Sequence, residues 1–178
     1  MLVINVEQQD FFDDTLQRFV VVDPVTLHLE HSLVAVSKWE SIHKVPFLAP
    51  TTEIKGALLF DYLRCMVLDD VVDPGVLLYA SGDNLTKIQD YIGSTETATT
   101  FPQRYGGGGP DEVITSELVY FWMNHYKIPL EAETWHLNRL FTLIRIHGIK
   151  NQPAQKRSAQ EIAAERRAMN DARLRAMS

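Results

Sequence analysis

Residues 51–66 read TTEIKGALLFDYLRCM. Ile54, Leu58, Tyr62 and Cys65 recur at steps of three and four, and Leu59, Leu63 and Met66 widen the stripe. That period marks an amphipathic helix, here of about 15 residues. Thr51 or Thr52 can cap it, and Glu53 complements the dipole of its first turn. The sequence before it has a different period. Residues 2–6 (LVINV), 16–22 (LQRFVVV) and 25–36 (VTLHLEHSLVAV) are short and β-rich, and Asp23-Pro24 separates the last two. Val25, Leu27 and Leu29 alternate with Thr26, His28 and Glu30, as in a half-buried strand. Residues 1–37 therefore predict a small antiparallel sheet, and 38–50, closed by two prolines, an irregular connection.

Downstream the helical period persists. Asp73-Pro74-Gly75 is a turn, and a helix from Asp83 or Asn84 ends at Gly93, with Leu85, Ile88 and Ile92 on one face. Residues 94–110 contain four consecutive glycines and predict a mobile loop. Pro110, followed by Asp111 and Glu112, suits the first turn of a third helix carrying Ile114, Leu118, Phe121, Trp122 and Met123. Ile128-Pro129 breaks it. A fourth helix runs from about Glu131 to His147 and stops at Gly148. The short connection makes the third and fourth helices an antiparallel pair. The expected fold is α+β: one domain over 1–150, with strands in 1–37, a mainly helical bundle over 51–148, and a basic tail over 151–178 that is helical or disordered.

The chain has 178 residues, of which 46% are hydrophobic and 22% charged. A chain of that size can bury a core without disulfides. Its net charge of −6 conceals an asymmetry: residues 1–149 carry 20 acidic and 10 basic groups, whereas 150–178 carry 3 and 7. An acidic body argues against phosphate neutralisation by the domain itself and leaves nucleic acid disfavoured as a partner. The lone Cys65 excludes an internal disulfide, and its apolar neighbours predict a buried, inert thiol. No stretch reaches a membrane span, and MLVINVEQQDFFDD lacks the basic start of a signal peptide. The expected setting is intracellular and reducing.

No constellation of residues specifies catalysis. His28 and His31 fall on opposite faces of a strand, His43 lies beyond them in a loop, and no HExxH occurs. There is no GxSxG, and Cys65 has no neighbouring base. The glycine run is followed by Pro110-Asp111-Glu112, which repels an anion where a phosphate loop needs Lys and Ser or Thr. Asp13-Asp14, Asp69-Asp70 and Asp111-Glu112 read as solvated acids. No metal, cofactor or enzymatic activity is expected. The tail carries Lys156, Arg157, Arg166, Arg167, Arg173 and Arg175 but no aromatic residue to stack on bases.

Several segments together resemble the tail assembly chaperones of long-tailed phages. They are ITSELVYFWMNHY at 114–126 and IPLEAETWHLNRLFTLIRIHGIKNQP at 128–153, with the helical signature Trp135, His136, Leu137, Asn138, Arg139 and Leu140. Glu117 to Met123, Ser37 to Ser41, Pro46-Phe47-Leu48, and Tyr62 with Arg64, Cys65 and Met66 also fit, as does the basic tail. The likeness spans roughly residues 30–175 and departs at the glycine run and the N-terminal strands. It implies an assembly factor outside the virion, acting in the host cytoplasm. Such a factor binds the tape measure protein, keeps it soluble and helps recruit tail tube protein. In many such phages a frameshift also yields a longer form.

On that likeness Arg157, Arg166, Arg167, Arg173, Arg175, Tyr120 and Tyr126 become candidate partner contacts, and homo-oligomerisation is open. Trp39, Tyr120 and Tyr126 are amphipathic and suit an interface. Trp122 and Trp135 suit core packing between the third and fourth helices. Asn138 and Arg139 suit capping or ion pairing. Two alternatives remain: a structural virion protein of the tail or head–tail joint, and a nucleic-acid-binding regulator acting through the basic tail.

Overall fold

A computed structural model describes residues 1–13, 17–100, 113–151 and 167. The chain is α+β. Strands β1 (Leu2–Val6), β2 (Gln9–Asp13), β3 (Arg18–Val22) and β4 (Val25–Leu29) come first. Helices α1 (Leu33–His43), α2 (Ala57–Met66), α3 (Gly82–Gly93), α4 (Ser116–His125) and α5 (Leu137–Asn151) follow, with 3₁₀ turns at Pro74–Tyr79 and Leu130–Thr134. The chain divides into two compact units, Met1–Ile146 and His147–Ser178. Of the second unit the structure describes the end of α5 and Arg167, which is helical and exposed.

The strands form two antiparallel ladders, β1 with β4 and β2 with β3. Both ladders share one register, from Leu2 opposite Leu29 to Asp13 opposite Arg18. They are two stretches of one hairpin, interrupted where that register sets Pro24, which has no N–H to donate, opposite Glu7. Ile4, Val6, Leu27 and Leu29 point into the core. Strand β2 had no counterpart in the sequence reading, because Gln9 and Asp10 carry little β propensity.

The expected strand 25–36 ends at Leu29, and the expected connection 38–50 begins as helix. Ser32 is the N-cap of α1, its hydroxyl accepting from Ala35 N at 3.3 Å. Leu33, Ala35, Val36, Trp39 and Glu40 are buried along one face of α1, and Lys38, Ser41 and Ile42 are exposed on the other. The stripe is blurred because the buried face carries Glu40 and the other side carries Val34 and Ile42, and the valines imitate a strand. Lys44, left-handed at φ 57°, closes α1 by donating its N–H to Glu40 O.

The α2 stripe is real but starts later than expected. Thr52 closes a turn, its Oγ1 donating to Pro46 O at 2.8 Å, and Gly56 precedes the helix at φ 56°, ψ −125°. A side chain at Gly56 would meet nothing within 4 Å, so its constraint is conformational alone. Gly56→Ala is expected to cost about 1–2 kcal/mol in urea unfolding. An unchanged midpoint would show that the backbone there relaxes without strain.

Asp73 holds Gly75 N at 2.8 Å and opens the 3₁₀ turn that replaces the simple turn expected there. Helix α3 starts at Gly82, capped by Ser81. Helix α4 starts at Ser116 behind the N-cap Thr115; Pro110-Asp111-Glu112, expected in its first turn, lie outside the described residues, as do 101–109 of the glycine loop. The expected helix 131–147 is a 3₁₀ turn, an extended Trp135, and then α5. Gly148 does not stop α5, which runs on to Asn151 because Gly148 keeps a negative φ. The expected antiparallel pair is also revised: α4 and the second 3₁₀ turn both pack on α1.

Candidate functional site

Three polar features are built into the first unit. The earliest in the chain is the β4–α1 junction, Glu30-His31-Ser32, which is buried. The backbone explains why. Glu30 N donates to Met66 O at 2.9 Å, Leu137 N donates to His31 O at 2.7 Å, and Ser32 pairs with His136 in an isolated bridge. The end of α2 and the start of α5 are thus stitched to one short segment. Around it stand Tyr62, Tyr91 and His136. His31 Nδ1 is hydrogen-bonded to the Tyr62 hydroxyl, and the His31 and His136 rings meet edge-on at 5.0 Å. His136 Nε2 donates to Tyr91 O at 2.9 Å while its Nδ1 accepts from Asn138 N at 3.3 Å, which fixes the tautomer. The Tyr91 hydroxyl donates to Glu30 Oε1 at 2.6 Å.

Burial, with His136 as a lesser cause, lowers His31 to about 4. Burial also pushes Tyr62 well above its ordinary value, helped by Cys65 and Glu30. His31 is therefore neutral at pH 7 and can accept the Tyr62 O–H. Between pH 6.5 and about 4 the unfolded chain takes up a proton that the folded chain refuses. Stability contributed by neutral His31 is then present above pH 6.5 and lost as pH falls towards 4, by about 3 kcal/mol. His31→Gln is expected to flatten the fall in urea stability between pH 7 and pH 4.5. An identical slope in both proteins would assign the fall to other groups.

The second feature is Glu40, buried in α1. Its Oε1 accepts from Phe47 N and its Oε2 from Ser116 N, both at 2.8 Å. One carboxylate thus fixes the chain leaving α1 and the first residue of α4, where the helix dipole favours an anion. Asp69 plays a similar part in the open. Rather than a solvated acid, it accepts from His28 N at 2.7 Å and from the His28 ring at 2.9 Å, and the backbone N–H holds its carboxyl below the usual range.

The third feature is an open groove of about 460 Å³ between α1 and α2. Lys38, Ser41 and Ile42 form one wall, and Asp61, Arg64 and Cys65 the other. Cys65 is half-buried rather than enclosed, because the α2 stripe turns its edge into this groove. Burial pushes its thiol above the ordinary value, with Lys38 and Arg64 opposing.

The residues singled out in the sequence are scattered. Trp39, read as a structural residue of the family signature that could also suit an interface, is fully buried, and its Nε1 donates to Leu58 O at 3.0 Å. Tyr120 and Tyr126 are half-buried; the Tyr120 hydroxyl donates to Glu133 at 2.8 Å. Trp122 and Trp135 are half-buried at the edge of the core rather than within it. Arg139 lies over the Trp135 ring at 4.3 Å. Asn138 Nδ2 donates to Ser94 O at 2.7 Å and to Ile92 O, so it caps the end of α3. Leu137 and Leu140 are core residues. Arg157, Arg166, Arg173 and Arg175 lie outside the described residues.

Sequence reasoning missed Glu40, His31 and the groove. Lys38 and Ile42 stand four apart, a helical signal hidden by the irregular reading of 38–50. Among the described residues no group of three or more His, Cys, Asp or Glu is placed to hold a metal ion, and no helix is long and apolar enough to cross a membrane. Neither a protein-family model, nor a curated protein, nor a solved structure matches the chain.

Proposed function

We propose that the chain is a phage tail assembly chaperone. It binds the tape measure protein in the host cytoplasm, keeps its long apolar helices soluble, and helps recruit tail tube protein. The observation that carries the reading is the set of motifs in residues 114–153, from Ile114-Thr115-Ser116-Glu117 through Trp135–Leu140 to Asn151-Gln152-Pro153. Large apolar side chains at the surface support it, Ile42, Leu78, Phe121 and Leu130 among them, since a protein that shields apolar helices needs such contacts.

Co-expression with the tape measure protein of the same genome tests the reading. Tape measure protein is expected to move into the soluble fraction and to co-purify with this chain. If its solubility is unchanged, the chaperone role is wrong.

A further inference from the structure

We propose that the groove between α1 and α2 docks an apolar helical segment that presents a carboxylate. The proposal rests on the tail-assembly reading, which makes that segment part of the tape measure protein.

Two properties of the groove lead there. Ile42 is 63% exposed on a helix that otherwise buries its large apolar side chains, Leu33, Val36 and Trp39. The volume beside it is open along one side, so it does not enclose a small molecule as a ligand pocket does. A channel between two packed helices instead offers ridges and a furrow for a third helix.

Charge then selects the occupant. The Asp61 carboxylate lies 3.4 Å from His43 Nε2 without a hydrogen bond to it, and with Lys38 and Arg64 it leaves the groove one positive charge in excess. Lys38 and Arg64 form no salt bridge among the described residues. Over residues 1–149 acidic groups outnumber basic ones two to one, whereas here two cations face each other across an apolar floor with one carboxylate beside them. A partner carboxylate seated between them gains charge-assisted hydrogen bonds, most of all to the planar Arg64 guanidinium. A basic segment is repelled by the same pair.

The chain supplies its own reporter, because Cys65 lines the groove and is the single cysteine. The experiment compares alkylation of Cys65 by N-ethylmaleimide, followed by intact mass, in the free chain and in the complex with tape measure protein. At least tenfold slower alkylation is expected in the complex. Ile42→Asp and Arg64→Glu are each expected to cut the tape measure protein captured by at least tenfold. Both positions are exposed, so melting temperatures are expected to stay near that of the parent. Arg64→Lys is expected to keep much of the capture.

If the complex forms while Cys65 reacts as fast as in the free chain and both variants capture as well as the parent, the groove is not the docking site and the chaperone role stands. If the parent chain captures no tape measure protein, the tail-assembly reading fails and the docking proposal falls with it.

Discussion

Trp39→Ala is expected to lower the free energy of unfolding by about 3–5 kcal/mol, read from urea denaturation at pH 7. Trp39 is fully buried. Its ring lies 4.5 Å from the His43 ring and 5.3 Å from that of Phe47, which in turn lies 4.2 Å from Tyr62. Truncation therefore opens a cavity in a row of aromatic rings joining α1, the chain that follows it, and α2. It also removes the indole N–H that donates to Leu58 O in the first turn of α2. Trp39→Phe separates the two effects. It keeps most of the apolar area but loses the hydrogen bond and part of the ring volume, so a smaller loss of about 1–2 kcal/mol is expected. A near-neutral Trp39→Ala would return this residue to the surface role that its amphipathic character suggests.

Glu40→Ala is expected to cost a similar amount, about 3–5 kcal/mol, for a different reason. Removing the carboxylate strands two N–H donors at once, Phe47 N and the fully buried Ser116 N. It also withdraws negative charge from the start of α4. Glu40→Gln keeps one acceptor oxygen and is expected to recover about half of the loss. Should Glu40→Ala and Glu40→Gln cost the same, charge at the α4 terminus dominates over the count of hydrogen bonds. Should neither matter, the two donors have found water.

The α+β order was legible because the period of the apolar residues changes along the chain. Val25, Leu27 and Leu29 alternate as a strand must, and Ile54, Leu58 and Tyr62 step as a helix must. Pattern reading failed where tertiary contacts override local preference. Helix α1 places the charged Glu40 on its buried face and the apolar Ile42 on its exposed face, so the contrast that reveals a helix is weak from Leu33 to His43. Near Trp135 the apolar rhythm runs on unbroken, yet the helix breaks because His136 bridges to Ser32 and Leu137 N is drawn to His31 O. That is a contact across more than 100 residues, and nothing local announces it. The same distance hid the polar features. Glu40 and Ser116 are 76 residues apart, and only the fold says that one carboxylate serves the other's helix. The motif residues Leu137, Asn138 and Leu140 lie in the core or cap α3, so in this fold they hold elements together.

The cover over the buried face of α1 also bears on the order in which the chain is made. Its coverings come from α2, α4 and the second 3₁₀ turn, and the segment that enters it is tied to Leu137. At roughly 5–20 residues per second, the ribosome needs about 5–20 s to travel from the end of α1 to Leu140. Throughout that interval Leu33, Val36 and Trp39 have emerged without their full cover. The nascent protein thus passes through a stage in which it displays the kind of apolar helix that it is proposed to shelter in another protein, and premature termination before α4 leaves that helix without the cover of α4 and the second 3₁₀ turn.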